Sequence, residues 1–545
     1  MGTQPPKLFV RNATGLVRDY GARDVLLFAS AMVFALVYTT VQFAWFYGNT
    51  QGADMTSSLL VSSIPFILLM FTYWVISLVM PRTGSDYVWV SRIFSPSIGF
   101  VWSLIYMLMV FITGYVAQVT SFTYAFSISL STGGLLSGSQ SLTNMGSFLS
   151  SGNGTFLLFI IFSLAFAVFA VFGTKFIKGL LYVSWVAAIA GIALMWYILG
   201  TTSNATFVSH WNQLLSSLGS SATYSAVAQT AVTNGAATTI TGTSGIVIAL
   251  PLAALFLLGS NNVNAFAGEM KNIKRTVPIA IFLSLFLGII YWSITSNLTL
   301  GTVGATWMSQ VGHGFETAGA NPAAYTLPFP PSQPLFLAVA AYPNSGLITV
   351  MFITYLLGSV APIFTFFWIQ SKYIFAWSFD RVIPTKFSDV YERFSTPYIA
   401  IITLGIMGIL FAIPFAYYSW GSTFTFGSVI WEICYIVPGI ALAVFPFVKK
   451  ELFANGPGFT SKKIGGFPLV SLIGILTALG FAYIGYIAFS NALYGNGAVG
   501  GLNLFTVELV ATILIVGFVL YFASYYYHKA RGVNIRLAFA EIPPE

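Results

Sequence analysis

One acidic side chain lies deep inside a long apolar stretch of this 545-residue chain. Glu432 follows about eight residues of the apolar run 424–447, or roughly 12 Å along a helix that rises 1.5 Å per residue. A charge at the centre of a bilayer costs at least about 2.5–3.5 kcal/mol, and no Lys or Arg lies at a comparable depth to pair with it. We therefore predict that Glu432 carries a proton or binds a cation. The alternative is a neutral carboxyl group that is hydrogen-bonded inside a packed bundle.

A polar cluster interrupts a second apolar run, 245–268, at residues 258–264, which read Leu-Gly-Ser-Asn-Asn-Val-Asn. These amides cannot all face lipid, because unsatisfied polar groups are costly there, and Gly and Asn are weak helix formers. We predict a broken helix lining a cavity, where free backbone groups bind a substrate or an ion. The alternative is an unbroken helix whose amides bind neighbouring helices. The predicted substrate-binding residues of this cluster are Gly259, Ser260, Asn261, Asn262 and Asn264.

Two serines are weaker candidates. Ser359 lies midway along the apolar run 345–371, and Pro362 frees a backbone carbonyl one turn earlier in that helix. Ser30 lies in the first apolar run, beside Ala31. An isolated hydroxyl in a membrane helix more often packs against a neighbouring helix, and that alternative stays open for both serines. We predict Ser359 as an ion-coupling residue, and Ser30 with Ala31 as part of the substrate site.

Twelve apolar runs are close to the length of about 20 residues that a helix needs to cross a bilayer. With these spans, all 22 Lys and Arg residues fall at the termini or after the second, fourth, sixth, eighth and tenth spans. Cytoplasmic loops collect Lys and Arg, so the pattern predicts an even number of spans and both termini in the cytoplasm. The spans are 24–47, 57–80, 98–130, 155–173, 179–200, 245–268, 278–299, 345–371, 397–416, 424–447, 467–490 and 504–527.

The composition is that of a membrane protein. Hydrophobic residues make up 57% of the chain and charged residues 7%, whereas a soluble domain has about 25% charged residues. The lipid bilayer is therefore an expected partner, and the net charge of +8 is attributed to cytoplasmic loops near anionic lipid, not to nucleic-acid binding. With one cysteine and three histidines, the sequence contains no recognisable metal site and no nucleophile–base set. It also contains no Gly-rich phosphate loop for ATP. We therefore predict neither an enzyme nor a cofactor.

The chain is expected to form a single membrane domain over residues 1–545. Its long outer connections, 201–244 and 300–344, are rich in Ser, Thr, Ala, Gly and Pro, and their simplest interpretation is flexible linkers. Aromatic residues, 17% of the chain, are expected mostly at lipid-facing and interfacial positions. The parts are an N-terminal segment 1–23, helices 1–5 in 24–200, helices 6–10 in 245–447, helices 11–12 in 467–527 and a tail 528–545.

Three segments in the basic loops resemble motifs of the amino acid–polyamine–organocation (APC) permeases. Residues 81–92, Pro-Arg-Thr-Gly-Ser-Asp-Tyr-Val-Trp-Val-Ser-Arg, resemble that family's P-R-x-G-x-x-Y-x-x-x-S-R after helix 2. Residues 267–278, Ala-Gly-Glu-Met-Lys-Asn-Ile-Lys-Arg-Thr-Val-Pro, resemble its A-E-E-x-K-N-P-x-R-x-x-P after helix 6. Residues 371–384, followed by Thr396-Pro397, resemble its S-R-x-x-x-A…D-x-x-x-P…T-P after helix 8. The three motifs occur in order, and the resemblance covers nearly the whole chain.

This resemblance implies an all-α polytopic membrane protein with the LeuT-like fold. That fold has an inverted repeat of helices 1–5 and 6–10, two further helices, and helices 1 and 6 discontinuous at the substrate. Gly259, Ser260 and Asn261 align with the family's G-F-E at the break of helix 6. The resemblance implies that backbone and side chains at these positions hold the amine and the side chain of the substrate.

The chain departs from the family at two places. The family's first helix has a G-x-x-G-x-G-like stretch whose backbone amides bind the substrate carboxylate, whereas residues 31–36 here are Ala-Met-Val-Phe-Ala-Leu. Proton-coupled relatives often carry a lysine midway along helix 5, whereas residues 186–190 here are Val-Ala-Ala-Ile-Ala. The carboxylate site and the coupling group are therefore not carried over from the family.

Charged residues of the basic motifs are expected to form an inner gate that holds the outward-open state. The alternative is that they act as topology signals and contact lipid head groups. The predicted gate residues are Arg82, Asp86, Glu269, Lys271, Arg275 and Asp380.

Together, these features predict a secondary active transporter of the plasma membrane that moves amino acids or related small amines by alternating access. Its expected partners are a small-molecule substrate and H+ or Na+ as coupling ion, with H+ favoured by Glu432. A polyamine or organic-amine transporter or exchanger is the nearest alternative, because a lone buried carboxylate suits an amine. An ion channel is an alternative from another class, and it would need a continuous polar lining.

Overall fold

The computed structural model describes residues 15–34, 42–217, 220–238, 245–317, 323, 334–418, 425–491 and 504–539. Helices dominate, because in lipid only helices and closed barrels satisfy every backbone hydrogen bond internally. Within the described residues there is one sheet, a two-stranded antiparallel hairpin of β1 (Lys463–Ile464) and β2 (Phe467–Pro468).

The α-helices are numbered in chain order. Helices α1 to α11 cover Ala22–Phe34, Gln42–Asn49, Met55–Val79, Ser85–Ile93, Pro96–Val110, Ala117–Ser137, Gln140–Ser150, Gly152–Val171, Thr174–Thr201, Asn204–Ser217 and Tyr224–Thr233. Helices α12 to α22 cover Ile246–Leu255, Ile273–Val303, Ala305–Thr317, Pro334–Ala341, Ser345–Phe379, Tyr398–Tyr417, Thr425–Cys434, Ile436–Val448, Lys450–Ala454, Leu469–Ser490 and Leu504–Ala530. A π-helix covers Phe111–Val116, and 3-10 helices cover Ser260–Ala265, Ala267–Glu269, Thr385–Ser388 and Ile535–Phe539.

Eleven helical segments of the described residues are long and apolar enough to cross a membrane. They overlap the second to twelfth predicted spans, and the eighth extends furthest beyond its prediction, to Phe379. The first predicted span, 24–47, contains α1 and α2 but also residues 35–41, which lie outside the described residues. The polytopic helical architecture is therefore confirmed, while the count of twelve stays a prediction.

The helix contacts repeat with a shift of five spans. The second span packs against the seventh (α3 with α13), and the fourth packs against the ninth (α8 with α17). The first span packs against the seventh (α1 with α13), and correspondingly the sixth packs against the second (α12 with α3). The fifth span packs against the eighth (α9 with α16), and correspondingly the tenth packs against the third (α18 with α5). Exchanging each helix with the one five spans away maps these contacts onto one another, which is the pattern that an inverted repeat produces.

The largest aromatic side chains fill the interior of the bundle. Trp89, Trp292, Trp368 and Trp431 are each less than 2% exposed. For these residues the expectation of lipid-facing positions is wrong. Lipid is as apolar as the protein interior, so aromatic rings gain little by facing it. Inside the bundle the indole N–H groups of Trp89, Trp292 and Trp431 donate to Met80, Val33 and Tyr435.

Short helices occupy the two connections that the sequence predicts as flexible linkers. Trp307 of α14 stacks on Tyr224 of α11 with ring centroids 4.9 Å apart, and its indole N–H donates to the Tyr224 carbonyl at 2.9 Å. Trp211 of α10 packs edge-on against Trp307 at 5.1 Å. The linker interpretation is therefore wrong for the described parts of these connections, because buried tryptophans give the Ser- and Ala-rich segments a core of their own.

Ion pairs bring the connections rich in Lys and Arg together at one end of the bundle, called here the basic face. Arg92, after the second span, pairs with Asp380, after the eighth. Lys178, at the start of α9, and Lys271, after the sixth span, both pair with Asp19 near the N-terminus. The charge pattern of the sequence predicts this common location.

Candidate substrate site and gate

The sixth span leaves the α-helical path midway along its length. Helix α12 ends at Leu255, residues 256–259 form turns, and two 3-10 helices follow. Within the described residues, the carbonyls of the first three turn residues and the N–H of Gly259 form no backbone hydrogen bond. The low helix propensity of Gly and Asn accounts for the interruption at the place where the sequence predicts it. Irregular backbone at this depth occurs in membrane proteins where it is buried in protein or lines a cavity.

Gly259 makes the sharpest turn of this segment, with φ of +111°, a conformation that costs other residues about 1–3 kcal/mol. An added Cβ would lie 2.7 Å from the Cβ of Met32 in α1. We therefore expect Gly259→Ala to lower the free energy of unfolding by about 1–3 kcal/mol, measured by unfolding in detergent. Gly301→Ala is the matched control, because an added Cβ there meets no described atom within 4 Å and Ala is favoured inside a helix. An equal loss in both variants would contradict the argument.

Two amide side chains of the interrupted segment bind tyrosines from other spans. Asn261 donates to the hydroxyl of Tyr106 at 3.0 Å and accepts from the hydroxyl of Tyr435 at 2.8 Å. Tyr106 donates in turn to Oδ1 of Asn262 at 2.5 Å, and the indole of Trp431 donates to Tyr435 at 2.8 Å. These bonds connect the sixth span to the third and the tenth.

The remaining polar groups of the segment divide into bonded and unbonded ones. Asn264 donates to the carbonyl of Asn261 at 2.8 Å and accepts from Ser77 of α3 at 2.9 Å, so it holds the backbone in place. The hydroxyl of Ser260 and Nδ2 of Asn262 are buried and have no hydrogen-bond partner in the part of the chain that the structure describes. Buried polar groups are nearly always paired, so these two groups are the best placed to bind a ligand.

A small cavity lies beside the interruption. Its volume of about 10 Å³ admits a single water molecule, so the site is closed in this structure. A larger substrate can enter only when the surrounding helices separate. The lining residues are Met32, Val33, Thr113, Leu255, Phe256, Leu258, Trp292, Phe366, Ser428 and Trp431.

The two predicted ion-coupling residues differ in their surroundings. Glu432 adjoins Trp431 of the cavity lining, is fully buried, and has no hydrogen-bond partner for either carboxyl oxygen among the described residues. The hydroxyl of Ser359 donates to the carbonyl of Tyr355 in its own helix at 2.7 Å. Glu432 therefore has unused capacity to bind a proton or a cation, whereas the hydrogen of the Ser359 hydroxyl is already engaged.

The first span contributes other residues to the cavity than the sequence predicts. The hydroxyl of Ser30 donates to the carbonyl of Leu26 one turn earlier. Ala31 lines a second cavity of about 10 Å³ together with Ala188, which lies in the stretch where relatives carry a lysine. Met32 and Val33, the next two residues, line the cavity beside the interruption instead. The roles of Ser30 and Ala31 in substrate binding stay predictions.

The third span adapts its helical winding where it passes the cavity. Residues Phe111–Val116 form a π-helix, and Thr113 within it lines the cavity. A Cβ added to Gly114 would lie 2.4 Å from the ring of Phe366, so only glycine permits this approach of the third span to the eighth. Single π-helical turns inside α-helices are frequent at functional sites, and this one was not predicted from the sequence.

Two buried ion pairs close the basic face. Arg92 donates to both carboxyl oxygens of Asp380, at 2.6 and 2.8 Å, and the two side chains are 1% and 2% exposed. The hydroxyl of Tyr87 also donates to Asp380, at 2.9 Å. Lys372 lies 2.6 Å from Oε1 of Glu269. Burial raises the pKa of Glu269, against the opposing effect of Lys372.

The predicted gate residues differ in their surroundings, and their role as a gate stays a prediction. Asp86, Glu269 and Asp380 all lie buried at the basic face, whereas Arg275 is exposed and the exposed Lys271 pairs with Asp19. Arg82 donates to the carbonyl of Pro81 at 2.9 Å. The cations of the buried pairs are Arg92 and Lys372. Both occupy basic positions of the motifs at 81–92 and 371–384, and that was the signal by which the sequence could have identified them.

Asp86 is buried, and among the described residues no Lys, Arg or His forms an ion pair with it. It accepts from the hydroxyls of Tyr73 and Tyr373, each at 2.7 Å, and from the N–H of Tyr87 at 3.0 Å. Burial raises the pKa of Asp86 to about 6, because it disfavours the charged form more than these hydrogen bonds favour it.

The C-terminal 3-10 helix, Ile535–Phe539, packs onto this ion-paired region. Arg92 donates to the carbonyl of Ala538 at 3.3 Å, and its guanidinium carbon lies 4.8 Å from the centre of the Phe539 ring. Ile535 is fully buried. The end of the chain thus contacts the same arginine that joins the second and eighth spans.

A bundle of membrane-spanning helices around an interrupted helix, with a small buried cavity beside the interruption, is the architecture of a membrane transport protein. The chain belongs to the amino acid permease family, whose profile matches residues 26–520, and this confirms the APC resemblance of the three motifs. Over 248 residues the chain is 24% identical to the aspartate-proton symporter of Bacillus subtilis (strain 168). That match covers 45% of this chain and 43% of the relative, so it spans less than half the length of either protein.

Proposed function

We propose that this protein is a secondary active transporter that moves amino acids or related small amines across the plasma membrane by alternating access. The coupling ion is H+, and the basic face and both termini are cytoplasmic. One observation carries the proposal: the interrupted span has buried groups on Ser260 and Asn262 without a hydrogen-bond partner among the described residues, and α18, which lines the adjacent cavity with Ser428 and Trp431, also carries the buried, unbonded carboxyl of Glu432. Membership of the amino acid permease family supports the substrate class. The name of the symporter relative supports the coupling ion.

The buried carboxyl group couples proton to substrate through the closure of the site. A charged Glu432 without a partner is expensive inside the closed bundle, whereas a neutral one is tolerated. Closure around a substrate is therefore favoured when the carboxyl has taken up a proton. When the basic face opens, as Arg92 separates from Asp380 and Lys372 from Glu269, water reaches the site and proton and substrate leave together.

An organic-amine carrier is the second candidate, and the cavity lining supports it. Phe256, Trp292, Phe366 and Trp431 are among the lining side chains, and aromatic faces attract cations such as ammonium groups. The glycine-free stretch 31–36 lacks the family's backbone site for a carboxylate. Both features favour a ligand recognised mainly by its amine.

Transport by the purified protein in liposomes tests the proposal. We expect labelled neutral amino acids to accumulate when the outside is more acidic than the inside, and a protonophore to abolish this. An imposed Na+ gradient without a pH gradient is expected to have no effect. Competition by amino acids, including aspartate, and by their decarboxylated analogues separates the two candidate substrate classes. Failure of every amino acid and amine to move under either gradient would refute the proposal.

A further inference from the structure

We propose that Asp86 is a second proton-binding residue of the transport cycle, which favours a closed basic face while it is protonated and loses its proton when that face opens. This inference rests on the proposed function and deepens it. It assigns to the basic face a titratable group of its own, separate from Glu432 in the tenth span.

The position of Asp86 links it to three helices that must move apart for the basic face to open. It lies in the first turn of α4 and is 1% exposed. Its two oxygens accept from Tyr73 of α3 and from Tyr373 of α16, at 2.7 Å each. Separation of the second span from the eighth must break at least one of these bonds and admit water to the carboxyl group.

Asp86 differs from the other buried carboxylates of the basic face in having no cation. Asp380 is bound to Arg92, and Glu269 is bound to Lys372. Among the described residues, no Lys, Arg or His lies within ion-pair distance of Asp86. A buried carboxylate without a cation is the kind of group whose protonation changes when its surroundings are hydrated.

The other groups that face Asp86 are neutral. Tyrosines from α3, α16, α5 and the junction before α19 surround it, together with the single cysteine of the chain. In the described structure, the 3-10 helix Ser260–Ala265 presents amides and a hydroxyl but no titratable side chain to this region. The titratable groups are Tyr73, Tyr373, Tyr106, Tyr435 and Cys434. Asp86 is thus the group of this cluster that titrates between pH 5 and pH 8.

The direction of the coupling follows from the pKa. Burial raises the pKa of Asp86 from 3.8 to about 6 in the closed structure, and hydration in an open structure returns it toward 3.8. A proton binds more tightly to the state with the higher pKa, so acid favours the closed basic face and deprotonation favours the open one. From pH 7.5 to pH 5, the ratio of open to closed molecules is expected to fall about tenfold.

Pulsed EPR distances between two spin labels measure this ratio without substrate or gradient. The labels are attached through Lys274→Cys and Lys386→Cys in a Cys434→Ala background. Both lysines are exposed and lie at the basic face, next to the seventh and eighth spans. We expect the long-distance population to fall about tenfold relative to the short one between pH 7.5 and pH 5. Asp86→Asn, a mimic of the protonated form, is expected to keep the short distance at both pH values.

Two further variants keep the test decisive. Asp19→Asn is the matched control, because the hydrogen bond from Lys178 holds the pKa of Asp19 at about 2 and this group does not titrate in the measured range. It should respond like the parent protein. Tyr373→Phe removes a hydrogen bond that lowers the pKa of Asp86, so the pH-dependent change in the ratio of open to closed molecules should shift to higher pH. This variant provides the test if Asp86→Asn does not fold.

An unchanged distance distribution in the parent from pH 7.5 to pH 5 would overturn the inference. The same response in Asp86→Asn as in the parent would overturn it as well. Liposome transport driven by a pH gradient, together with a pH-independent basic face, would overturn the inference and leave the proposed function intact. A pH-dependent basic face in a protein that moves no substrate would overturn the proposed function and would support Asp86 as the titrating group.

Discussion

Glu432→Gln is expected to abolish the accumulation of substrate that a proton gradient drives, while exchange of substrate between the two sides continues. Glutamine has nearly the shape of a protonated glutamate but cannot release a proton. The variant should therefore close around substrate at any pH and lose the link between proton and substrate. With one proton carried per substrate, a gradient of one pH unit supports about tenfold accumulation, and this whole factor should disappear.

Uptake of labelled substrate into liposomes under that gradient measures the loss, and counterflow at equal pH measures exchange. Glu508→Gln is the matched control, because Glu508 is the exposed carboxylate near the start of α22. It should accumulate substrate like the parent. Tenfold accumulation by Glu432→Gln would show that another group carries the proton.

Arg92→Met is expected to lower the free energy of unfolding by about 3–5 kcal/mol, because it removes the arginine that pairs with the buried carboxylate of Asp380. The charge-assisted bonds at 2.6 and 2.8 Å are lost, and the hydrogen bond from the Tyr87 hydroxyl is retained. A double variant, Arg92→Met with Asp380→Leu, should recover most of the loss, because two apolar side chains then replace the pair without leaving a charge behind.

Chemical unfolding in detergent, followed for the parent and both variants, measures these changes. Lys271→Met is the matched control, because its pair with Asp19 is 57% exposed at the lysine and an exposed pair contributes no more than about 1 kcal/mol. If Arg92→Met were no less stable than Lys271→Met, the buried pair of Arg92 and Asp380 would not stabilise the contact between the second and eighth spans as argued.

The membrane architecture could be predicted because it depends on properties that are local in the sequence. The length of an apolar run decides whether it can span a bilayer, and the position of Lys and Arg decides on which side its ends lie. The interruption near Gly259 could be predicted for the same reason, since Gly and Asn weaken a helix wherever they occur. The burial of Glu432 follows from its depth within an apolar run.

The partners of these residues could not be predicted, because they depend on how distant helices are rotated about their axes. Two adjacent pairs in α1 illustrate this: Ser30 and Ala31 are predicted for the cavity, but Met32 and Val33 line it. Successive helical residues differ by about 100° in direction, so the rotation of the helix decides which of them face a cavity, and no local feature of the sequence fixes that rotation.

The 3-10 helix Ile535–Phe539 links the segment after the last span to the conformation of the basic face. Its contacts with Arg92 exist only while that side chain holds its present place, so the docked end and the closed arrangement stabilise each other. Coupling of this kind is reciprocal. A binding protein or fusion that sequesters the terminus would promote opening, and a substrate that promotes opening would release the terminus for capture.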